Sequence, residues 1–358
     1  MGGEITVKEA LEITNPVFID LRSPHEFSQG SIPGAVNVPL FNDEEREIIG
    51  LIYKEDQDKA RMKGLSFVTP KLPGFVEKIK ILGQEKTPVL YCWRGGMRSK
   101  SVQDLLETLQ IPSRRLKGGY KSYRRFILDR LNSYQLKKPI YVLNGLTGTG
   151  KTEVLHLLEE KGCPVIDLEK LACHRGSLFG HLGIKEQRRQ KDFDALLWVS
   201  LEKQKDAPYL LIEGEGKRIG SIYQPEFLYR AIQEGKHILL KAPLENRVAR
   251  ILKEYTPGTP EEIEKVKEAI LLLEKYLGSN TIAVLLSLLK EAKYDQLVSL
   301  LCRQYYDRLY SESRKEKNEY VLIVDSSNPE RAAEKIRCYL AGAIKEPIAG
   351  IDRRFPEL

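Results

Sequence analysis

Short apolar runs alternate along this chain with longer stretches in which apolar residues recur every three or four positions, the pattern of strands each followed by a covering helix. In the first third, Pro16 to Asp20, Ile32 to Val38, Pro88 to Tyr91 and Ser113 to Leu116 read as strands. A turn and helix are expected from Arg22 to Phe27, with further helices near 71–83 and 101–109. Charged residues dominate from Asn42 to Lys63, and Ile48, Ile49, Leu51 and Ile52 are spaced like one face of a helix, so 42–70 reads as a helical insert. A second series of strands follows at Pro139 to Asn144, Pro164 to Asp167, Tyr209 to Glu213, His237 to Lys241 and Tyr320 to Asp325, with a helix from Glu153 to Lys161. From Glu261 to Arg314 the period is helical only: Ile263, Val266, Ile270, Leu273 and Leu277, then Ile282, Leu285, Leu286 and Leu289. The chain is therefore expected to be α/β, with one domain over 1–123, a basic linker helix over 124–138, and a parallel-sheet domain over 139–358 that carries a helical subdomain at about 258–316.

At 358 residues the chain exceeds a single typical core, which agrees with that division. No apolar run approaches the ~20 residues of a membrane span and no signal peptide is visible, so a cytoplasmic protein is expected. Five cysteines, at 92, 163, 173, 302 and 338, are widely spaced and contain no Cys-x-x-Cys pair, which argues against a disulfide framework and a structural zinc site. The net charge of +7 is concentrated: Ser113 to Lys138 holds nine Lys/Arg against one acid, while the rest of the chain has 48 basic and 49 acidic residues. Three tyrosines, 120, 123 and 134, lie within it. Such a segment suits a nucleic-acid backbone, and equally a solvated linker helix. Arg114, Arg115, Lys117, Lys121, Arg124, Arg125 and Arg130 are its candidate contacts. Tyr305, Tyr306 and Tyr310, with Arg303 and Arg308, could stack on bases or simply pack.

Two loops carry candidate chemistry. Cys92 ends an apolar strand and is followed by Trp93, Arg94, Gly95, Gly96, Met97, Arg98 and Ser99. The glycines allow successive amides to converge on an anion, and these dipoles with the two arginines favour a reactive thiolate. The strand ending at Asn144 runs into Gly145-Leu146-Thr147-Gly148-Thr149-Gly150-Lys151-Thr152, a complete phosphate-loop spacing in its strand-loop-helix context. Gly145, Thr147, Gly148, Thr149 and Gly150 would wrap phosphate oxygens, Lys151 would supply charge, and Thr152 with Glu213 would hold magnesium. Glu213 could instead cap the turn after its strand.

Asp20-Leu21-Arg22-Ser23, His25-Glu26-Phe27, Gly30-Ser31-Ile32-Pro33-Gly34-Ala35 and Leu116-Lys117-Gly118-Gly119-Tyr120 resemble the frame of a rhodanese domain. Joined to a phosphate-loop domain, and with the Cys92 loop, the insert Asp43-Glu44-Glu45-Arg46 and the segment Leu171 to Gly180, nearly the whole chain resembles the bacterial tRNA 2-selenouridine synthase family. The resemblance implies a transferase that acts on wobble 2-thiouridine in tRNA, first alkylating sulfur with geranyl diphosphate, then installing selenium from selenophosphate, without a tightly bound cofactor. It implies selenophosphate at the Cys92 loop, with selenium passing through the thiolate to the base, and diphosphate at Lys151. Selenophosphate synthetase is the implied supplier. His174, Arg175, Ser177, Glu213 and Arg247 become candidate contacts to donor or tRNA, and Leu178, Phe179, Phe193, Leu196 and Trp198 candidate walls of a pocket for the prenyl chain.

The chain departs from the family's pattern twice. Gln304-Tyr305-Tyr306-Asp307 stands where a His-Tyr-Asp-Pro-like run is expected, so no role for that histidine carries over. Arg98 lies six positions after Cys92 rather than the five of simple rhodanese loops, which is the spacing of cysteine phosphatases. A cysteine-dependent phosphatase fused to a nucleotide-binding domain therefore stays open, as does a phosphate-loop kinase or GTP switch with a docking module.

Overall fold

The computed structural model describes residues 3–174, 188–255, 257–308 and 319–343, and the described chain divides into two compact units. The first contains residues through Ser133 together with Arg189–Val199. Its sheet is wholly parallel, in the order β1 (Gly3–Ile5), β5 (Arg114–Leu116), β4 (Thr87–Tyr91), β2 (Pro16–Asp20), β3 (Val36–Asn37). The central strands β2 and β4 read as near-continuous apolar runs because parallel strands are covered on both faces. Val17, Ile19, Leu21, Leu90, Phe75, Ile79, Val102 and Leu106 form the core beneath α5 (Leu72–Leu82) and α6 (Met97–Thr108). Two shorter helices, α1 (Val7–Leu11) and α2 (Pro24–Ser28), start with reciprocal capping boxes, Thr6 with Glu9 and Ser23 with Glu26, each satisfying two amides at the helix end.

The insert forms two helices, α3 (Asp43–Glu55) and α4 (Gln57–Val68), with Asp56 capping the second through the amides of Asp58 and Lys59. Its four isoleucine and leucine positions do not share a face: Ile49 packs on the core, whereas Ile48 and Leu51 are exposed. A helix advances about 100° per residue, so positions 48 and 51 turn together away from 49.

The basic segment differs from a linker. It forms α7 (Gly119–Asn132), which buries Tyr120, Tyr123, Ile127 and Leu131 inside the first unit, and the division between units falls at Ser133. Sequence charge concealed this because the apolar positions sit at helical spacing among the arginines. The expected strand over 32–38 shortens to Val36–Asn37, and the edge strand β1 had no apolar run to announce it.

In the second unit, Tyr134–Arg188 and Ser200 onward, the sheet is again parallel: β12 (Tyr320–Asp325), β11 (Lys236–Lys241), β6 (Ile140–Gly145), β8 (Leu210–Glu213), β7 (Val165–Ile166). The strand before the phosphate loop, β6, is central and buried throughout. Tyr141, Leu143, Val154, Leu158, Leu211, Ile238 and Ile336 form the core with α8 (Lys151–Glu160) and the C-terminal helix Pro329–Ala343. Short α9 (Leu168–Ala172) follows β7, and α10 (Gln190–Lys203) runs from the first unit into the second. A two-stranded hairpin, β9 (Arg218–Ile219) with β10 (Ile222–Tyr223), follows β8 and turns at Gly220, whose φ is +57°. Then come α11 (Glu226–Glu234) and α12 (Leu244–Tyr255). A helical layer with its own core follows: α13 (Pro260–Leu271), α14 (Glu274–Leu277), α15 (Ser279–Lys290), α16 (Tyr294–Leu301) and a π-turn, Cys302–Tyr306. Tyr305 and Tyr306 pack in or against that core with Tyr276, which uses up rings that sequence offered for base stacking.

Candidate active site

Cys92 lies just past β4 and is 3% exposed, with Sγ 3.3 Å from the Ser99 hydroxyl. Its loop is clamped against the turn before α7. The amides of Tyr120 and Lys121 donate to the carbonyls of Cys92 and Trp93, both at 2.9 Å. Glycine is obligatory there: Gly119 has φ of +58°, and a Cβ on it would collide with the Cys92 oxygen. Gly95, with φ of +64°, faces the same turn and its carbonyl accepts from Arg115 at 2.5 Å. Gly96 caps α6, whose N-terminus therefore adds its partial positive charge at this loop. Arg94 is exposed. Arg98 donates to Glu26 at 2.6 and 3.3 Å. Burial pushes the Glu26 carboxyl up, but its bond to Arg98 outweighs that and holds it below its ordinary value. Under the loop, Arg22 grips Asp20 and the Gly30 carbonyl and lies 4.1 Å over the Tyr120 ring. Removing one partner of such a buried pair costs about 3–5 kcal/mol. Cys302 and Cys163 are different: burial pushes the first thiol up to about 11 and the second up as well, which suits inert core cysteines.

The phosphate loop is equally specified. Gly148 and Gly150 have φ of +79° and +84°, and a Cβ on Gly145 would collide with the Thr149 hydroxyl. Lys151 Nζ donates to the Gly145 carbonyl at 3.2 Å, and Gly150 caps α8. Thr152 Oγ1 lies 3.4 Å from a Glu169 oxygen, and the Glu169 amide donates to Glu213 at 2.5 Å. Glu213 is fully buried at the end of β8. Burial, and then the neighbouring carboxylates of Glu169, Asp167 and Glu215, push its carboxyl well above the ordinary range. Ligand oxygens of Glu169, Glu213 and Glu215 lie within 4.8 Å of one another, and Glu213 Oε2 is buried without a hydrogen-bond partner among the described residues. This all-oxygen set beside the loop threonine fits a hard divalent ion such as magnesium.

Other sequence candidates separate. Arg247 is 4% exposed, with its guanidinium bonded to the Thr147 carbonyl and paired twice with Asp307. His174 follows α9 and rests against Gly220 of the hairpin turn. Arg175, Ser177, Leu178, Phe179 and Tyr310 lie outside the described residues. Phe193, Leu196 and Trp198 are buried in the part of α10 that belongs to the first unit, where Trp198 meets Phe126 edge-on. In the basic segment, Arg115 pairs with Glu4 and Arg124 with Asp194, Arg130 lies over Phe126, and Lys117, Lys121 and Arg125 are exposed. Arg114 lies in β5, near Gly3.

A model of the tRNA 2-selenouridine synthase AAA domain matches residues 138–337, and one of the rhodanese-like domain matches 6–126. A tRNA 2-selenouridine synthase of Nitrosomonas europaea is 35% identical over 268 residues, covering 73% of this chain and 69% of that protein. That of Cupriavidus pinatubonensis is 33% identical over 84% of this chain and 89% of its own length. The chain belongs to the tRNA 2-selenouridine synthase family. Within the family frame, the two loops occupy one domain each, Cys92 in the rhodanese-like domain and Lys151 in the AAA domain. A Sulfurovum synthase, 34% identical over 84% of this chain and 89% of that protein, also spans both. Sequence reasoning missed Glu215, two positions after Glu213, Glu169, which the fold brings to Glu213 from 44 positions away, and Glu26, whose partner lies 72 positions away. Among the described residues no helix is long and apolar enough to cross a membrane.

Proposed function

We propose that this chain converts wobble 2-thiouridine in tRNA to 2-selenouridine in two steps, S-geranylation by geranyl diphosphate and then selenation by selenophosphate. The observation that carries the reading is one family member bearing two anion loops of different chemistry, a phosphate cradle at Lys151 and a cysteine cradle at Cys92.

In the first step the base sulfur attacks the allylic carbon, the C–O bond to diphosphate breaks, and diphosphate leaves. Lys151 and the loop amides stabilise the charge that develops on it. Magnesium, held by Thr152, Glu169, Glu213 and Glu215, would neutralise the same leaving group. The S-alkylated base then has an electrophilic C2. Selenium bonds to that carbon and geranylthiol departs.

Electron counting limits what Cys92 can do in this step. Transfer of selenium itself from selenophosphate to the thiolate would leave phosphorus as phosphite. Attack of the thiolate on phosphorus instead forms an S–P bond, breaks P–Se and frees selenide for the base, and water then releases phosphate from sulfur. The six-position step to Arg98 and the Ser99 hydroxyl beside Sγ support this phosphatase-like use of the loop. It requires Arg98 to exchange Glu26 for the incoming dianion. No tightly bound cofactor belongs to the reading, selenophosphate synthetase is the supplier of the labile donor, and the exposed Lys117, Lys121 and Arg125 with Arg130 meet the tRNA backbone in the cytoplasm.

The test is incubation with 2-thiouridine tRNA and geranyl diphosphate, then selenophosphate, with nucleosides weighed by mass spectrometry after each addition. A geranylated and then a selenated base is expected. Absence of the geranylated base while ATP is hydrolysed at enzyme-like rates would sink the reading.

A further inference from the structure

The phosphate loop does not hold its shape alone. Arg247 in α12 donates Nε to the Thr147 carbonyl at 2.8 Å, and Ser326, just after β12, donates its hydroxyl to the Thr149 carbonyl at 2.7 Å. A trans peptide sets its carbonyl and its amide on opposite sides, so the amides of Gly148 and Gly150 point away from Arg247 and Ser326. These are the donors that a bound phosphate must meet. Arg247 is in turn fixed by a bidentate pair with Asp307, at 2.6 and 3.0 Å, just beyond the π-turn that closes the helical layer. Arg250, one turn along α12, binds the carbonyls of Ser326 and Ser327 at 2.5 and 3.2 Å and so secures the second support. The backbone of α12 reaches the loop directly: a Cβ on Gly148 would lie 2.7 Å from the Arg247 oxygen.

We propose that Arg247, locked by Asp307, and Ser326 are positioning residues that turn two loop peptides so that their amides face the diphosphate, which makes the helical layer part of the donor site without touching the donor. A buried arginine held at three points loses no orientation when ligand arrives, and preorganised amides need no rearrangement at binding. The π-turn has a role in this. It widens the helix by one residue just before Asp307 and sets that carboxylate toward α12, an arrangement typical of π-bulges at functional sites.

The inference rests on the phosphate-binding part of the proposed function, and inorganic pyrophosphate tests it without the prenyl chain. Calorimetry on the full chain should show pyrophosphate bound by the wild type. Arg247→Lys and Asp307→Asn should each weaken it about tenfold, the worth of one charged hydrogen bond, and the double variant should be little worse than either. Ser326→Ala should weaken it about threefold. The KM for geranyl diphosphate should rise in parallel while kcat at saturating donor and tRNA affinity hold, a split that a general loss of structure would not give. Unchanged pyrophosphate affinity in Asp307→Asn and Ser326→Ala, tRNA affinity falling alongside, or no pyrophosphate binding by the wild type each overturns the proposal. Should Arg247→Lys fail to fold, Ser326→Ala decides it, because that small deletion leaves the buried pair intact. Variants that behave as expected in a protein that transfers no geranyl group would leave the positioning role standing and refute the donor. Geranylation by the wild type with full pyrophosphate affinity in the variants would do the reverse.

Discussion

The loop at Cys92 and the loop at Lys151 are built from the same parts: a buried parallel strand, left-handed glycine (Gly95 in the first, Gly148 and Gly150 in the second), and a helix whose cap is the last glycine of the loop. Their surroundings differ. At Cys92 a sulfur sits inside the loop, a neighbouring turn clamps the backbone, and the nearby arginine is bound to Glu26. At Lys151 the loop itself supplies amides and an ammonium, basic and hydroxyl groups hold carbonyls from behind, and three glutamates crowd one point beside Thr152. The first arrangement suits bond making at the loop, and the second suits holding a leaving group and its counter-ion. A strand-glycine-helix unit thus recognises an anion, while the side chains brought to it decide which reaction that anion undergoes.

The largest test of this contrast is Cys92→Ala. Selenation should fall by roughly a thousandfold or more, the scale of losing a nucleophile, while geranylation of the same tRNA stays near wild type. Equal loss of both products by mass spectrometry would break the division of labour. Lys151→Ala should do the opposite, weakening geranyl diphosphate by about a hundredfold with selenation of pre-geranylated tRNA retained. An unchanged KM for the donor would remove the loop from the first step.

A smaller effect separates the exposed from the engaged basic residues. Lys121→Ala with Arg125→Ala should lower tRNA affinity about tenfold and reduce the salt slope by about two. Arg124→Ala should instead lower the melting temperature, because it strips Asp194 of its charged partner and leaves it only the Gln190 amide among the described residues. Matching salt slopes for both sets would show that burial does not divide them.

The smallest effect concerns Glu213. Its carboxyl keeps a proton to higher pH in the folded chain than at the ordinary 4.5, so folding takes up a proton over that interval. Its contribution is fully present below 4.5 and is lost as pH rises toward the raised value. Glu213→Gln should flatten that decline, read as melting temperature against pH, and abolish the stabilisation that magnesium gives the wild type. Persistent magnesium stabilisation in the variant would move the ion elsewhere.

Most strands and both loops were legible because each is a local event: an apolar run bounded by glycine, proline or charge. Thus Pro16–Asp20 and Tyr320–Asp325 match their expected bounds, and the spacing from Gly145 to Thr152 marked where a phosphate would bind. The basic segment was legible as charge but not as packing. Nothing local told Arg124, which meets an aspartate 70 positions on, from Arg125, which is exposed. Arg247 had the right chemistry for a donor contact, yet its guanidinium is spent on a carbonyl 100 positions away and a carboxylate 60 away.

The α/β alternation, the two anion loops and the family could all be read from the chain alone, since these depend on residue type at short spacing. The tertiary structure decided which carboxylates gather beside Thr152, which arginines remain exposed, and what holds the loop peptides in place. Those depend on the order in which parallel strands and their crossover helices stack, and partners joined that way lie tens of residues apart along the chain.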